Sequence, residues 1–208
     1  MPEGPTLACR RIPEFDGADL AAVRRSFVGS ARCALVQPWA AAPEGDFSPA
    51  SAAVGCRGDA LLVLAEMTDR DVFTRADRHN QRMWELGDAF EMFLEADGAP
   101  DYYELHVAPN DLRLQLRIPI PRPSGRAPEE LMVACALFES RVWAEPAGWT
   151  VLATVPFSST GGRPVRFSFS RYDYTRGRPE PVLSTTSAHA RLDFHRREEW
   201  GFLRCEQP

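Results

Sequence analysis

Two stretches of this chain alternate strictly between apolar and polar side chains, and that period of two constrains the fold more than any other feature. Residues 111–118 read DLRLQLRI, with Leu112, Leu114, Leu116 and Ile118 on one side and Arg113, Gln115 and Arg117 on the other. Residues 165–171 repeat the pattern, with Val165, Phe167 and Phe169 against Arg166, Ser168 and Ser170. Successive side chains of a strand point to opposite faces, so each stretch reads as a half-buried strand of an antiparallel sheet. The pattern predicts Leu112, Leu114, Leu116, Phe167 and Phe169 in the core, with Arg113, Arg117 and Arg166 on the opposite, polar face.

Further strands are predicted over residues 60–67, 89–95, 102–108, 131–138, 141–145, 149–155 and 201–205. Many short strands separated by turn residues indicate a sandwich or barrel. Eighteen prolines agree, because proline is tolerated at strand ends and edges but not inside helices. One short helix is expected over 16–27, where Leu20, Val23 and Phe27 recur at helical spacing. Residues 1–15 read as a lead-in arm, 37–52 as a loop and 119–128 (PIPRPSGRAP) as a connector too short to divide domains. The expectation is one all-β domain over residues 1–208, a two-layer antiparallel β-sandwich with less than about a fifth of its residues helical.

The bulk properties exclude some classes of function. A net charge of −5 speaks against nucleic acid as a partner. There is no apolar run of membrane-spanning length, so no membrane partner is expected. The opening MPEGPTLACRR has no signal-peptide core, which favours the cytoplasm for the chain as given, and a secreted or periplasmic place if a leader was removed. All 24 basic residues are arginine, as a GC-rich bacterial genome would give. The five cysteines, Cys9, Cys33, Cys56, Cys135 and Cys205, include no CxxC pair and read as free thiols; a disulfide among them cannot be assigned from sequence. Zinc-protease, nucleotide-binding and nucleophile-elbow motifs are all missing.

Several segments together resemble the carbohydrate-binding modules of family nine. They are LLVLAEMTDRDV (61–72), WELGDAFEMFLEADG (84–98), DYYELHVAPND (101–111), GWTVLATVPFSS (148–159), VRFSFSRYDY (165–174) and DFHRREEWGFL (193–203), in the family's order over nearly the whole chain. The resemblance implies a jelly-roll-like β-sandwich that binds a mono- or oligosaccharide. One sugar ring is clamped between two aromatic rings, and charged or amide groups grip its hydroxyls. A pyranose offers an apolar face to an indole and paired hydroxyls to carboxylate or guanidinium. Trp84 falls on the first clamp position and Glu91 on the gripping carboxylate. His106 and Ala108 fall where relatives carry Arg and Asn. The chain departs from the pattern in one extra residue between Trp84 and Glu91, in the inert Ala108, and in residues 183–192, where a second clamp is due and His189 is the one ring.

Alternation refines the expected site. Phe90, Met92 and Leu94 point inward, so Glu91 points away, and His106 does the same between Leu105 and Val107. Trp84, Glu91 and His106, with Arg113 behind them, are therefore expected on one open face. Asp69, Asp71 and Asp88 are candidate ligands of a structural Ca²⁺, a hard cation that takes six to eight oxygens. Three other functions compete. Glu91 and Glu104 could act as the acid and base of a carbohydrate hydrolase or its accessory domain. The sandwich could be a scaffold for a protein partner. Met83, Met92 or His106 could ligate haem.

Overall fold

The computed structural model describes residues 4–205. Its strands are β1 (Thr6–Arg11), β2 (Arg32–Leu35), β3 (Ala50–Arg57), β4 (Ala60–Thr68), β5 (Ala89–Ala96), β6 (Asp101–Val107), β7 (Arg113–Pro119), β8 (Glu139–Glu145), β9 (Gly148–Pro156), β10 (Pro164–Asp173), β11 (Val182–Thr185) and β12 (Gly201–Cys205). A single α-helix, α1 (Leu20–Ser26), is found among the described residues. The chain is an all-β sandwich, as the alternating stretches require.

One sheet runs β7-β6-β5-β10, and the far edge of β10 is shared by β12 and β11. The other runs β3-β4-β9-β8, and the far edge of β3 is shared by β2 and β1. β1 belongs to both. Thr6 to Cys9 lie parallel to β12, and Arg10 and Arg11 lie parallel to β3. The two sheets are thus joined through a corner strand, and among the described residues the antiparallel pattern is broken only at β1. The expected lead-in arm contains this strand, whose polar sequence TLACRR hides an alternating buried pair, Leu7 and Cys9. A disulfide between Cys9 and Cys56 fastens β1 to β3, so two of the cysteines read as free thiols are bonded.

The core between the sheets takes Phe90, Met92 and Leu94 from β5 and Phe167 and Phe169 from β10. They meet Val63, Ala65, Trp149, Val151 and Val155 of the second sheet. The outer face of the second sheet is covered by α1. Asp19 caps the helix by accepting from the Ala21 N–H, and Val23 and Phe27 pack with Leu62, Leu64 and Leu152. This is shorter than the helix expected over 16–27, because Asp16 and Gly17 form a turn ahead of the cap.

Leu114, Leu116 and Ile118 are buried as expected, but not beside Phe167 and Phe169. Cross-strand register pairs Leu114 with His106 and Leu116 with Glu104, so these leucines lie on the outer face of the first sheet. There they pack with Phe93, Tyr102, Phe194 and Trp200 in a separate apolar layer. The first sheet is buried on both faces, and alternation alone does not say which face meets the partner sheet. Residues 131–138, expected as a strand, instead run irregularly beside β7. Gln115 holds them through contacts with the Val133 and Cys135 carbonyls and the Leu137 N–H.

Candidate functional site

The outer face of the first sheet carries a row of polar groups set into its apolar layer. Glu91 of β5 lies directly across from His106 of β6, and Glu104 sits two residues from His106 on the same face. His106 Nδ1 is 3.2 Å from Glu91 Oε1, and His106 Nε2 is 2.7 Å from Glu104 Oε1. Glu104 Oε2 lies 3.7 Å from His195 Nε2, and His195 Nδ1 is 2.8 Å from the Tyr102 hydroxyl. Five side chains from β5, β6 and the loop before β12 thus form one continuous polar floor.

Burial makes this floor costly unless its charges are matched. Glu91 and His106 are 2% and 0% exposed. Desolvation raises the Glu91 carboxyl above the ordinary carboxylate range, and the His106 charge offsets this only in part. For His106, desolvation works downward but is outweighed by Glu91 and Glu104, so the imidazole is raised. Glu104 is lowered, because the His106 hydrogen bond and charge overcome its own desolvation. Burial lowers His195. Burial thus favours the proton on Glu91, while the close contact with Glu104 favours the charged form of His106. Among the described residues Glu91 Oε2 has no hydrogen-bond partner, an uncommon state for a buried polar atom.

Above the floor is a cavity of about 390 Å³. Glu91 and Glu104 line its base. Trp84, Phe93 and Tyr172 line it from the sheet side, Leu192 to His195 from the loop before β12, and Arg122 to Leu131 from the Pro-rich connector. Trp84 stands on a short 3₁₀ turn, Met83–Glu85, with its ring 5.4 Å from His106 and its carbonyl accepting from the Tyr174 hydroxyl at 2.6 Å. A second hollow, lined by Trp39 and Tyr174, shares Trp84, Tyr172, Leu183 and Leu192 with the first.

The structure brings Trp84, Glu91 and His106 together at this cavity, although His106 lies beneath it rather than in its lining. It does not bring Arg113. That residue pairs with Val107 in β6, on the opposite face, where its guanidinium donates to the Phe138 carbonyl at 2.9 Å. The error is the face assignment of β7 described above. Sequence reading gave Glu104 no part in the expected ligand site and did not point to His195, Tyr172 and Arg122, which line the same cavity. The spacing of Glu104 and His106, two apart on one strand, was the available signal; His195 and Arg122 arrive on loops, where no periodicity marks them. Residues 183–192 supply no ring to the cavity, and Phe194 and His195 stand on that wall instead.

The aspartates form a different arrangement from the one expected. Carboxylates of Asp69, Asp88 and Asp173 lie within 4.8 Å of one another; Asp71 is outside this group and pairs with Arg176. The group already faces a cation of the chain itself. Fully buried Arg171 contacts Asp69 at 3.0 Å and Asp173 at 2.9 Å, and Asp88 accepts the Phe73 and Tyr174 N–H groups. A calcium ion would have to displace or sit against a guanidinium, so this donor set does not fit it. Of the haem candidates, Met83 packs in the outer apolar layer and Met92 does not join it. Met92 points into the inter-sheet core, opposite His106.

The buried acids make stability depend on pH in a definite direction. Asp88 is pushed up to about 8 by burial, and Glu91 and His106 are raised as well. Their protons are held by the folded chain, whereas an unfolded chain has lost them by about pH 7. The folded state then binds more protons, so stability falls as pH rises. Calorimetric melting is expected to show a falling Tm from about pH 7 to pH 9, with a shallower fall in Glu91→Gln. A Tm that holds or rises over that range contradicts this charge assignment.

The fold and site define a class: a β-sandwich with an aromatic-walled polar pocket on one outer face. No family model and no curated protein matches the chain. Solved structures do. A candidate carbohydrate-binding protein from Bacteroides uniformis superposes with a TM-score of 0.72 at 16% identity, over 98% of this chain and 100% of that one. A family-nine carbohydrate-binding module from Caldicellulosiruptor kristjanssonii, solved with cellotriose, gives 0.63 at 15% identity over 98% and 94%. A structure of such a module from the same organism, solved with glucose, gives 0.66 at 14% over 98% and 96%. The chain has the fold of the family-nine carbohydrate-binding modules.

Proposed function

We propose that the cavity binds a saccharide ring, stacked on Trp84 and gripped by Glu91 and Glu104. One observation carries the reading: Glu91, whose buried Oε2 has no hydrogen-bond partner among the described residues, lines the same cavity as Trp84. A sugar hydroxyl supplies the missing partner, and the apolar face of the ring suits Trp84. The glucose and cellotriose complexes of modules with this fold support the same ligand class. The floor suits holding better than cleaving. Glu91 and Glu104 are both engaged by one His106 ring, whereas hydrolysis needs two carboxyl groups free to flank a glycosidic bond.

One stacked ring and a few hydrogen bonds must offset the cost of association, so the dissociation constant is expected nearer mM than µM. Trp84→Ala is expected to weaken binding at least about tenfold in calorimetric titration with mono- and oligosaccharides. Trp84 is only half-buried, so its loss should cost less stability than the roughly 3–5 kcal/mol of a core aromatic. A variant that binds like the parent but melts like a core mutant makes Trp84 a structural residue.

A further inference from the structure

The connector between β7 and the next 3₁₀ turn, read from sequence as a spacer, forms one wall of the cavity. Ile120 at its start, and Leu131 and Met132 just beyond its end, pin it to the outer apolar layer. Arg122 and Arg126 line the cavity from this wall, both exposed. Neither makes a hydrogen bond or ion pair among the described residues. The neighbouring arginines of the same region behave differently: Arg82 binds Glu129, Arg117 binds Asp101, and Arg197 binds Glu95. The field of Arg122 reaches Glu104, Tyr102 and His195 on the floor.

The charge of the cavity follows from these neighbours. At the base, Glu91 and Glu104 both lie against the His106 ring, at 3.2 Å and 2.7 Å. Asp193 contributes one negative charge against the two guanidinium groups. The cavity thus sets carboxyl groups at its base against two exposed guanidinium groups on one wall. Guanidinium is planar and presents paired N–H donors, which match a carboxylate better than they match single hydroxyls.

We propose that the preferred ligand is an acidic saccharide, a uronic acid residue whose carboxylate is held by Arg122 and Arg126 while Glu91 and Glu104 hold its hydroxyls. This rests on the saccharide reading of the cavity and adds the class of sugar. The test is calorimetric titration of the full chain with glucuronate, galacturonate, their methyl esters, glucose and galactose, at low and high salt. The acids should bind at least about tenfold more tightly than their esters and parent hexoses, with a preference that shrinks as salt rises. In an Arg122→Ala/Arg126→Ala double variant the ratio of acid to hexose affinity should fall towards one. Two results overturn the proposal and leave the saccharide reading standing: hexoses that bind as well as the acids, or an acid preference that survives the double substitution. Absence of binding to every sugar, acidic and neutral, overturns both.

Discussion

Replacing Arg171 with methionine is expected to cost about 3–5 kcal/mol, a large part of the 5–15 kcal/mol that holds an ordinary domain together. Arg171 is fully buried, and its guanidinium contacts Asp69, Asp173 and the Thr68 carbonyl, the last at 2.8 Å. Methionine fills much the same volume but leaves two buried carboxylates with no opposing charge. That loss is larger than the net worth of the pair, because the stranded acids must protonate or draw in water. The variant carries a second expectation. With the guanidinium gone, Asp69, Asp88 and Asp173 become an uncompensated acidic group, so added Ca²⁺ should raise the Tm of the variant. The parent, whose arginine already supplies the cation, should show no such response. A parent stabilised by Ca²⁺ and destabilised by chelator would contradict the account of this cluster.

The second large effect separates the two apolar layers of the first sheet. Leu114→Ala is expected to cost about 2–5 kcal/mol and Phe169→Ala about 3–5 kcal/mol, since both side chains are fully buried. The two sites lie on opposite faces, three strands apart in the order β7-β6-β5-β10, or roughly 14 Å at ordinary strand spacing. Their effects should therefore add to within about 0.5 kcal/mol. The milder pair Leu114→Val and Phe169→Leu keeps the double variant folded for that comparison in denaturant. A coupling well above this value would place both residues in one core, as the alternating pattern alone suggests. The same geometry predicts different side effects. Leu114 stands across from His106, so its truncation should also weaken saccharide binding, whereas Phe169→Leu should not.

These two residues also show where sequence reasoning stops. A period of two says that Leu114 and Phe169 are buried, and both are. It does not say that a second apolar layer covers the outer face of the sheet, because that layer is assembled from loops. Phe194 and Trp200 come from the segment before β12, Ile120 and Leu131 from the connector. The consequence for the site is specific. The outward facing of Glu91 and His106 was legible, since each interrupts a run of inward-facing apolar neighbours. Arg113 was misplaced, because its own strand buries the leucines on the side where Glu91 and His106 lie. Arg122 and His195 were illegible because loop residues reach a cavity through tertiary packing rather than through spacing. β1 escaped for a similar reason: its pairing with β12 joins the two ends of the described chain, which no local pattern can report.

The central claim is that the cavity over Glu91, Glu104 and His106 is where a saccharide binds. The most direct measurement is a titration of the isotopically labelled full chain with glucose, cellotriose and glucuronate, followed through its backbone and indole N–H resonances. Binding at the cavity should shift the Trp84 indole and the backbone signals of Glu91, Glu104, His106 and His195. The Trp149 indole, buried between the sheets, should stay in place. Saturable shifts that leave Trp84 and Glu91 unmoved and gather on another face, or no shift with any of the three sugars at high mM concentration, would contradict the claim.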